Sequence, residues 1–224
     1  MTISLDHLGL IPQKTLEEQV LTRLREAIIE GVFQSNTQIN HVHISNQLGV
    51  SRGTIRAALS KLEEEGLVVN VPYKGTYVTE IDRKTVHDVY TMREVLEAYA
   101  VFQAIALCTD EDLKELHQIF EAMKTLGNEG KISEMIRMDL RLHAFYIQKA
   151  QNGILSQIWS DLEVRMRRVL AFRYFSHPYL QEMVDSHVQL IELTDQRKAA
   201  EAAELIRLHI REAYEGIMKN WPEK

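Results

Sequence analysis

The sequence contains little cysteine and proline and no long apolar run. Cys108 is its single cysteine among 224 residues, so no internal disulfide can form, and a reducing compartment is the expected setting. No apolar stretch approaches the roughly 18–20 residues that span a bilayer. The N-terminal residues lack the basic start and apolar core of a signal peptide. We therefore expect a soluble, cytoplasmic protein that makes no membrane contact.

An excess of basic residues is also missing. The formal net charge is −6, and residues 1–80 hold 7 Lys and Arg against 9 Asp and Glu, a balance of −2. Domains that bind nucleic acid are usually basic overall. Any contact with DNA therefore has to come from a local basic surface rather than from the charge of the whole chain.

Three short helices and a hairpin are predicted before residue 80. A short polar residue that favours a helix N-terminus precedes each helix: Thr15, Asn40 and Ser51. β-branched runs on both sides of a Pro/Gly turn then predict a hairpin within residues 67–79. Two helices joined by a tight glycine-containing turn and followed by a hairpin form a winged helix-turn-helix, which we predict over residues 1–80.

The rest of the chain is predicted to be helical throughout. Apolar residues recur at the spacing of one helix face in six segments, with breaks at polar or glycine-containing pairs. The predicted helices are about 83–108, 110–126, 133–150, 154–175, 179–195 and 198–219. The predicted fold is therefore mainly α: the N-terminal winged helix-turn-helix followed by an all-α six-helix antiparallel bundle over residues 81–224.

The third predicted helix carries two arginines near its start. Arg52 and Arg56 lie one turn apart, opposite the apolar residues of the same helix. A recognition helix presents side chains to the major groove from this position, and the planar arginine fork bonds guanine O6 and N7 together. Gly53 and Thr54 keep the helix start narrow, and Ser51 with the amides there could hold a phosphate. Two arginines alone are more often solvated surface residues, so the surrounding sequence decides.

That surrounding sequence forms a specific motif. Residues 49–68 read GVSRGTIRAALSKLEEEGLV, and residues 72–78 read PYKGTYV. Together they resemble the winged-helix domain of the GntR family of bacterial regulators, which implies operator binding. We expect Lys74 and Gly75 at the tip of the wing to enter the adjacent groove. The chain departs from the family at Ser35-Asn36, where Pro-Gly is usual, so no operator sequence is carried over.

The helical half contains a set of metal-ligand residue types. Asp139 and His143 lie one turn apart on one predicted helix, and His187 and His209 lie on the last two. One carboxylate and three imidazoles can bind a divalent transition metal and leave positions open, although an isolated histidine is more often a surface or core residue. In this order, after residues 92–97, the set resembles the FCD domain that accompanies GntR winged helices, in its shorter VanR-like form. The resemblance implies that these four residues bind zinc, nickel or manganese.

The resemblance also implies a small organic acid as effector, such as a sugar acid, a lactate-like acid or a dicarboxylate. A carboxylate can take open positions on the ion while a cation neutralises its charge. Arg93 is the predicted cation, and the alternative for it is an interhelical salt bridge with a glutamate such as Glu97. Weaker candidates for the pocket are Arg165, Arg173, Tyr146 and Trp159, of which the two aromatic residues are more often plain core.

These features predict a transcription regulator that is not an enzyme. We expect a homodimer, formed through the bundle, that sets two recognition helices on a palindromic operator and acts more often as a repressor than as an activator. One alternative is a constitutive or metal-sensing regulator in which the metal is itself the signal. Another is a metal-dependent hydrolase, because an ion with open positions can activate water. No carboxylate or histidine stands at a motif-defined spacing to act as its base, and a hydrolase would leave the winged helix unexplained.

Overall fold

The chain divides into two compact units, with the boundary between Thr79 and Glu80. The computed structural model describes residues 15–176 and 180–221, and the side chains of residues 172–180 lie outside that description. No helix within those ranges combines the length and the apolar character that crossing a membrane requires. Each unit is described separately below.

Polar caps begin the helices of the N-terminal unit. The Thr15 hydroxyl accepts a hydrogen bond from the Glu18 amide in a full capping box, the Asn40 side chain accepts from two amides, and the Ser51 hydroxyl accepts from the Thr54 amide. Gly49 ends the second helix with a φ of +65°, a conformation that glycine adopts without strain. The elements are α1 (Leu16–Ile29), β1 (Gln38–Ile39), α2 (His41–Leu48), α3 (Arg52–Glu64), β2 (Val68–Val71) and β3 (Gly75–Val78).

The sheet of this unit has three strands, in the order β1-β3-β2, with both pairs antiparallel. The predicted hairpin is β2 and β3, in which Val68 lies opposite Val78 and Val71 opposite Gly75. Strand β1 was not predicted, because two residues are too few to carry an alternating pattern. With the hairpin beside three helices, the predicted winged helix-turn-helix is confirmed.

One face of α3 forms the centre of the N-terminal core. Ile55, Leu59 and Leu62 are spaced three or four residues apart and are at most 4% exposed. They pack towards α1, whose Leu24 and Ile28 are both 4% exposed. Burial of this face fixes the opposite face of α3 towards solvent.

The C-terminal unit contains six helices within the described ranges, and their bounds agree with the predicted ones to within two residues. The predicted helical bundle is therefore confirmed. The predicted break at His177-Pro178 lies outside the described residues. The helices are α4 (Arg83–Leu107), α5 (Asp110–Asn128), α6 (Ile132–Lys149), α7 (Gly153–Ser176), α8 (Leu180–Asp195) and α9 (Ala199–Lys219).

Helix α4 is the central helix of this unit, in contact with α6, α7 and α9. Its buried positions include two charged residues, Arg93 and Glu97, each 2% exposed. Buried charged side chains are rare unless they are paired. Their position therefore marks the interior of the bundle, where α4, α6 and α9 meet, as the place to look for a site.

Truncation of Leu62 to alanine is expected to destabilise the N-terminal unit. The side chain is completely buried, and loss of a buried leucine costs about 2–5 kcal/mol in the free energy of unfolding. Urea denaturation followed by circular dichroism measures this change. Leu16→Ala is the matched control, because Leu16 is 53% exposed and its loss should cost about 0.5 kcal/mol or less. Equal effects of the two substitutions would contradict the assignment of the core.

Candidate functional site

The exposed face of α3 presents the predicted arginines to solvent. Arg52 and Arg56 are both exposed, and neither forms an ion pair with another residue in the described part of the chain. The Ser51 hydroxyl caps the helix by accepting from the Thr54 amide at 3.1 Å, and Gly53 beside it is also exposed. The start of α3 therefore offers two uncompensated guanidinium groups next to a helix N-terminus, which is attractive to anions.

The tip of the wing is a three-residue turn between β2 and β3. Lys74 in this turn is exposed, and its carbonyl accepts a hydrogen bond from Gln38 Nε2 at 2.7 Å. Gly75 has a φ of +106°, and an added Cβ would lie 3.1 Å from the same Gln38 nitrogen. Tyr73 was not predicted as a site residue, although its side chain is fully exposed and its φ is +64°. An exposed tyrosine between proline and lysine in a wing motif is the signal that could have identified it.

His41 connects α2 with the wing and is partly buried. Its Nε2 lies 3.0 Å from the hydroxyl of Thr76, a buried residue of β3. Partial burial and the nearby charge of Arg56 lower the pKa of His41. The positive charge of Arg56 thus acts on the histidine that joins α2 to the wing.

The four predicted metal ligands come together inside the C-terminal unit. Asp139 and His143 project from successive turns of α6, His187 from α8 and His209 from α9. His143 Nε2 and His187 Nε2 are 3.1 Å apart, and Asp139 Oδ1 lies 3.3 Å from His187 Nε2 and 3.7 Å from His143 Nε2. The nearest ligand atoms of the three histidines lie within 4.8 Å of one another. Except for His209, which is partly exposed, these residues are at most 3% exposed.

Hydrogen bonds on the far side of two rings fix which nitrogen faces the cluster. His143 Nδ1 is bonded to the Glu97 carboxylate, and His187 Nδ1 donates to the carbonyl of Met183 at 2.7 Å. When Nδ1 carries the proton, Nε2 of a neutral ring is a bare acceptor. The cluster thus directs two imidazole lone pairs and the carboxylate of Asp139 at one small volume.

Three acceptors at such short range repel one another unless a cation lies among them. Burial opposes a proton on His143, but the carboxylates of Glu97 and Asp139 outweigh it and raise the pKa of His143 to about 9. Burial lowers the pKa of both His187 and His209. In the free protein a proton on His143 therefore supplies the cation, and a metal ion could replace it.

The spacing of these donors fits a transition metal. Zinc binds imidazole nitrogen at about 2.0–2.1 Å, which puts two neighbouring nitrogens about 2.9–3.4 Å apart in octahedral or tetrahedral geometry. The 3.1 Å between His143 Nε2 and His187 Nε2 lies in that range. Glu97 and the Met183 carbonyl supply the outer hydrogen bonds that orient metal-bound histidines. His143, His187 and Asp139 thus fit a divalent ion by donor type, by spacing and by their outer hydrogen bonds, and His209 offers a further nitrogen within 4.8 Å of the other two histidines.

Arg93 lies beside the cluster and lines a cavity. Its Nε donates to Glu97 Oε1 at 2.6 Å. The alternative prediction named the right partner, but it was wrong to expect a salt bridge between two helices, because both residues are on α4. Burial opposes the charge of Arg93, but Glu97 outweighs it and raises the pKa. The terminal nitrogens of Arg93 form no hydrogen bond with another described residue. The guanidinium is therefore held by Glu97 on one edge and available on the other.

The cavity has a volume of about 220 Å³ and is bounded by α4, α6, α7, α8 and α9. Asp139 and His209 of the cluster form part of its wall. Its lining residues are Tyr90, Arg93, Asp139, Leu170, Glu182, Met183, Ser186, His209, Ile210, Glu212 and Ala213. A molecule in this cavity would touch the donor cluster and the arginine at the same time.

None of the weaker pocket candidates whose side chains the structure describes lines this cavity. Tyr146 and Trp159 are buried core residues that do not line this cavity, and the Tyr146 hydroxyl lies 2.9 Å from that of Thr194. Arg165 is exposed and is also absent from the lining, while the side chain of Arg173 lies outside the described residues. Sequence reasoning missed the outer hydrogen bond of Glu97 to His143, for which the signal is that a metal-bound imidazole needs an acceptor for its second nitrogen.

Comparisons with known proteins agree with both units. Residues 16–78 match the bacterial regulatory proteins of the gntR family, and residues 88–212 match the FCD domain. The chain is 27% identical over 187 residues to the Nta operon transcriptional regulator of Aminobacter aminovorans, covering 84% of this chain and 87% of that protein. It is 24% identical over 185 residues to the gluconate operon transcriptional repressor of Bacillus subtilis, covering 79% and 76%.

The fold is shared with solved structures. A putative GntR transcriptional regulator from Rhodococcus sp. RHA1 superposes with a TM-score of 0.81 at 18% identity, covering 92% of this chain and 99% of that one. The families and the relatives are transcription regulators rather than enzymes. This chain therefore belongs to the GntR family of bacterial transcription regulators, as a DNA-binding member with an FCD domain.

Proposed function

We propose that a small organic acid controls the operator affinity of this regulator by binding beside a divalent transition metal in the C-terminal unit. The observation that carries the proposal is the convergence of two imidazole nitrogens and a carboxylate oxygen next to the available edge of Arg93. The regulator would act in the cytoplasm, where operator DNA lies. The two halves of the effector site are argued in turn.

The metal half rests on the ligand set Asp139, His143, His187 and His209. Three nitrogen donors and one oxygen donor suit zinc or nickel, and manganese where oxygen ligands are added. When bound, the ion would supply a positive charge with open positions for ligand oxygen atoms. The protein's own residues orient the donors and keep most of them from water, and Asp139 and His209 also form part of the cavity wall.

The effector half rests on Arg93 and the cavity. A carboxylate that reaches the open side of the ion would also meet the terminal nitrogens of Arg93, which form charge-assisted hydrogen bonds with carboxylates. Glu97 keeps the arginine in place without occupying those nitrogens. The Bacillus relative is named for the operon of gluconate, itself a small organic acid. A metal alone as the signal would leave the cavity and the arginine without a role.

The proposed binding to DNA rests on the exposed face of α3 and on the wing. Arg52 and Arg56 would read bases in the major groove, with Ser51, Gly53 and Thr54 close to the phosphates. Lys74 and Gly75 would enter the neighbouring groove from the wing. Some relatives are named repressors, which favours repression over activation.

A palindromic operator requires two copies of the chain, and α4 offers a surface for pairing. Its outer face carries four apolar side chains at spacings of three, four and three residues, which form a continuous seam on a helix. These side chains are Met92, Val95, Tyr99 and Phe102, and they are 43–64% exposed. A second copy of the same seam would cover them around a two-fold axis. We therefore place the dimer contact on this seam of α4.

Loss of either recognition arginine should abolish most specific binding to the operator. Arg52→Ala and Arg56→Ala are each expected to weaken it about 10- to 100-fold, since a bidentate arginine–guanine contact contributes about 1–3 kcal/mol. Fluorescence anisotropy would measure this on DNA that the wild-type protein selects from a random library. Arg23→Ala is the control, because Arg23 is exposed on α1 and the charge change is the same. Wild-type affinity in both arginine variants would overturn the assignment.

Thermal denaturation with a panel of carboxylic acids tests the effector site. An acid at a hundredfold its Kd should stabilise the metal-loaded protein by about 2.7 kcal/mol, and each kcal/mol raises the Tm by roughly 2–4 °C. Removal of the metal with a chelator should abolish the shift. His209→Ala should also abolish it, whereas His117→Ala, which changes an exposed histidine of α5, should not. Stabilisation by metal but by no acid would instead identify the metal as the signal.

A charge placed on the α4 seam should separate the dimer. Val95 is 64% exposed in the single chain, so Val95→Asp should not disturb the fold. It would bury an unpaired carboxylate in each copy at the interface, which costs several kcal/mol. Sedimentation velocity is expected to show a monomer for Val95→Asp and a dimer for Val188→Asp, which makes the same change on an exposed site of α8. A dimer in both variants would place the contact elsewhere.

A further inference from the structure

We infer that the effector is a small monocarboxylate that also carries an ammonium group, which Glu182 and Glu212 bind. The inference rests on the proposed function, because it takes the carboxylate end to lie at the donor cluster and Arg93. It narrows the ligand from organic acids in general to amino-substituted acids, and it argues against dicarboxylates.

Two glutamates line the same cavity as Arg93, one from α8 and one from α9. Neither Glu182 nor Glu212 forms an ion pair or a hydrogen bond with another residue in the described ranges. Their neighbours are paired, since Gln181 donates to Asp185 and Arg211 donates to Glu94. Both glutamates are exposed, and in the described part of the chain no cationic side chain pairs with either of them.

Along the helix axes, both glutamates are displaced from the histidines in the same direction. Glu182 precedes His187 by five residues on α8, a rise of about 7.5 Å, and Glu212 follows His209 by three residues on α9, a rise of about 4.5 Å. The short link between these helices makes them antiparallel neighbours, so backward on α8 and forward on α9 are the same direction. A ligand whose carboxylate lies at the cluster would therefore extend its other end towards both glutamates.

The charges of the donor cluster, of Arg93 with Glu97 and of the two glutamates determine which class of ligand would bind. Arg93 and Glu97 cancel each other, while a divalent ion with Asp139 leaves one positive charge, which a single carboxylate neutralises. The second carboxylate of a diacid would come to lie beside the two glutamates and be repelled, whereas an ammonium group would be attracted. The volume of about 220 Å³ is below the roughly 300–1,000 Å³ of sites for drug-sized ligands, which suits a molecule the size of an amino acid.

Titration calorimetry on the metal-loaded full chain tests the inference. The probes are the straight-chain acids from acetate to hexanoate, each compared with its α-amino, ω-amino and ω-carboxyl analogues. The best amino-substituted acid is expected to bind about tenfold more tightly than its unsubstituted parent, as one ion pair of about 1.4 kcal/mol would give. The ω-carboxyl analogues are expected to bind more weakly than the parent acids.

Charge-neutral variants provide the control. In Glu182→Gln and Glu212→Gln the preference for the amino group should fall towards one, and dicarboxylates should bind more tightly than in wild type. Glu215→Gln, an exposed site of α9 outside the cavity lining, should leave the preference unchanged. If simple acids bind as well as amino acids in every variant, the inference is wrong and the proposed function stands. If no carboxylate of any class binds the metal-loaded protein, the proposed function fails as well.

Discussion

The buried carboxylate of Glu97 is the contact on which the centre of the bundle depends. It lies between Arg93 and His143, and all three side chains are at most 3% exposed. Removal of one partner from a buried ion pair costs about 3–5 kcal/mol, so neither the arginine nor the imidazole can leave. One carboxylate thereby holds the guanidinium at the cavity and turns the ring of His143 so that its second nitrogen faces Asp139. Both halves of the proposed effector site follow from this constraint.

How much the sequence could predict depended on how local each interaction was. Capping residues such as Thr15 and Ser51 act within one turn of their own helix, so helix starts were predictable to within a residue or two. The pair of Glu97 with His143 spans 46 positions and two helices, and no pattern in either helix announces it. Strand β1 could not be predicted for the same reason, because Gln38 and Ile39 form a strand only through their pairing with β3.

The same distinction between local and long-range contacts applies to the residues of the candidate site. Asp139 and His143 share a helix face by spacing alone, but nothing local brings His187 or His209 to them, and only the family resemblance grouped the four. Tyr146 was a weaker candidate for the pocket wall, and the more usual role of an aromatic residue at helical spacing is plain core; it is core and does not line the cavity. Spacing identifies which residues share a face, and packing between helices decides what that face meets.

The chain carries a net charge of −6 although it belongs to a family of DNA-binding proteins. The two facts agree because some basic side chains of the N-terminal unit are paired with acidic ones and others are not. On the N-terminal unit the basic side chains away from α3's start are partly paired, as Arg25 is with Glu65 and Lys61 with Glu17. Arg52 and Arg56 have no such partner within the described ranges, so their charge is available to phosphates and bases. Screening in salt weakens distant acidic groups more than close contacts, so the local surface decides binding.

The position of Arg93 in the chain suggests how an effector could influence the DNA-binding unit. Helix α4 begins at Arg83, only a few residues after strand β3 ends at Val78, and carries Arg93 further along the same rigid element. In the proposal, a ligand bound to the guanidinium acts on a helix that also contacts α6 and α9, which carry the candidate metal ligands Asp139 and His209. Such a ligand shifts the equilibrium only as far as it binds one arrangement of these helices better than another. Because α4 follows β3 directly in the chain, the proposal puts the effector on the first helix after the DNA-binding unit.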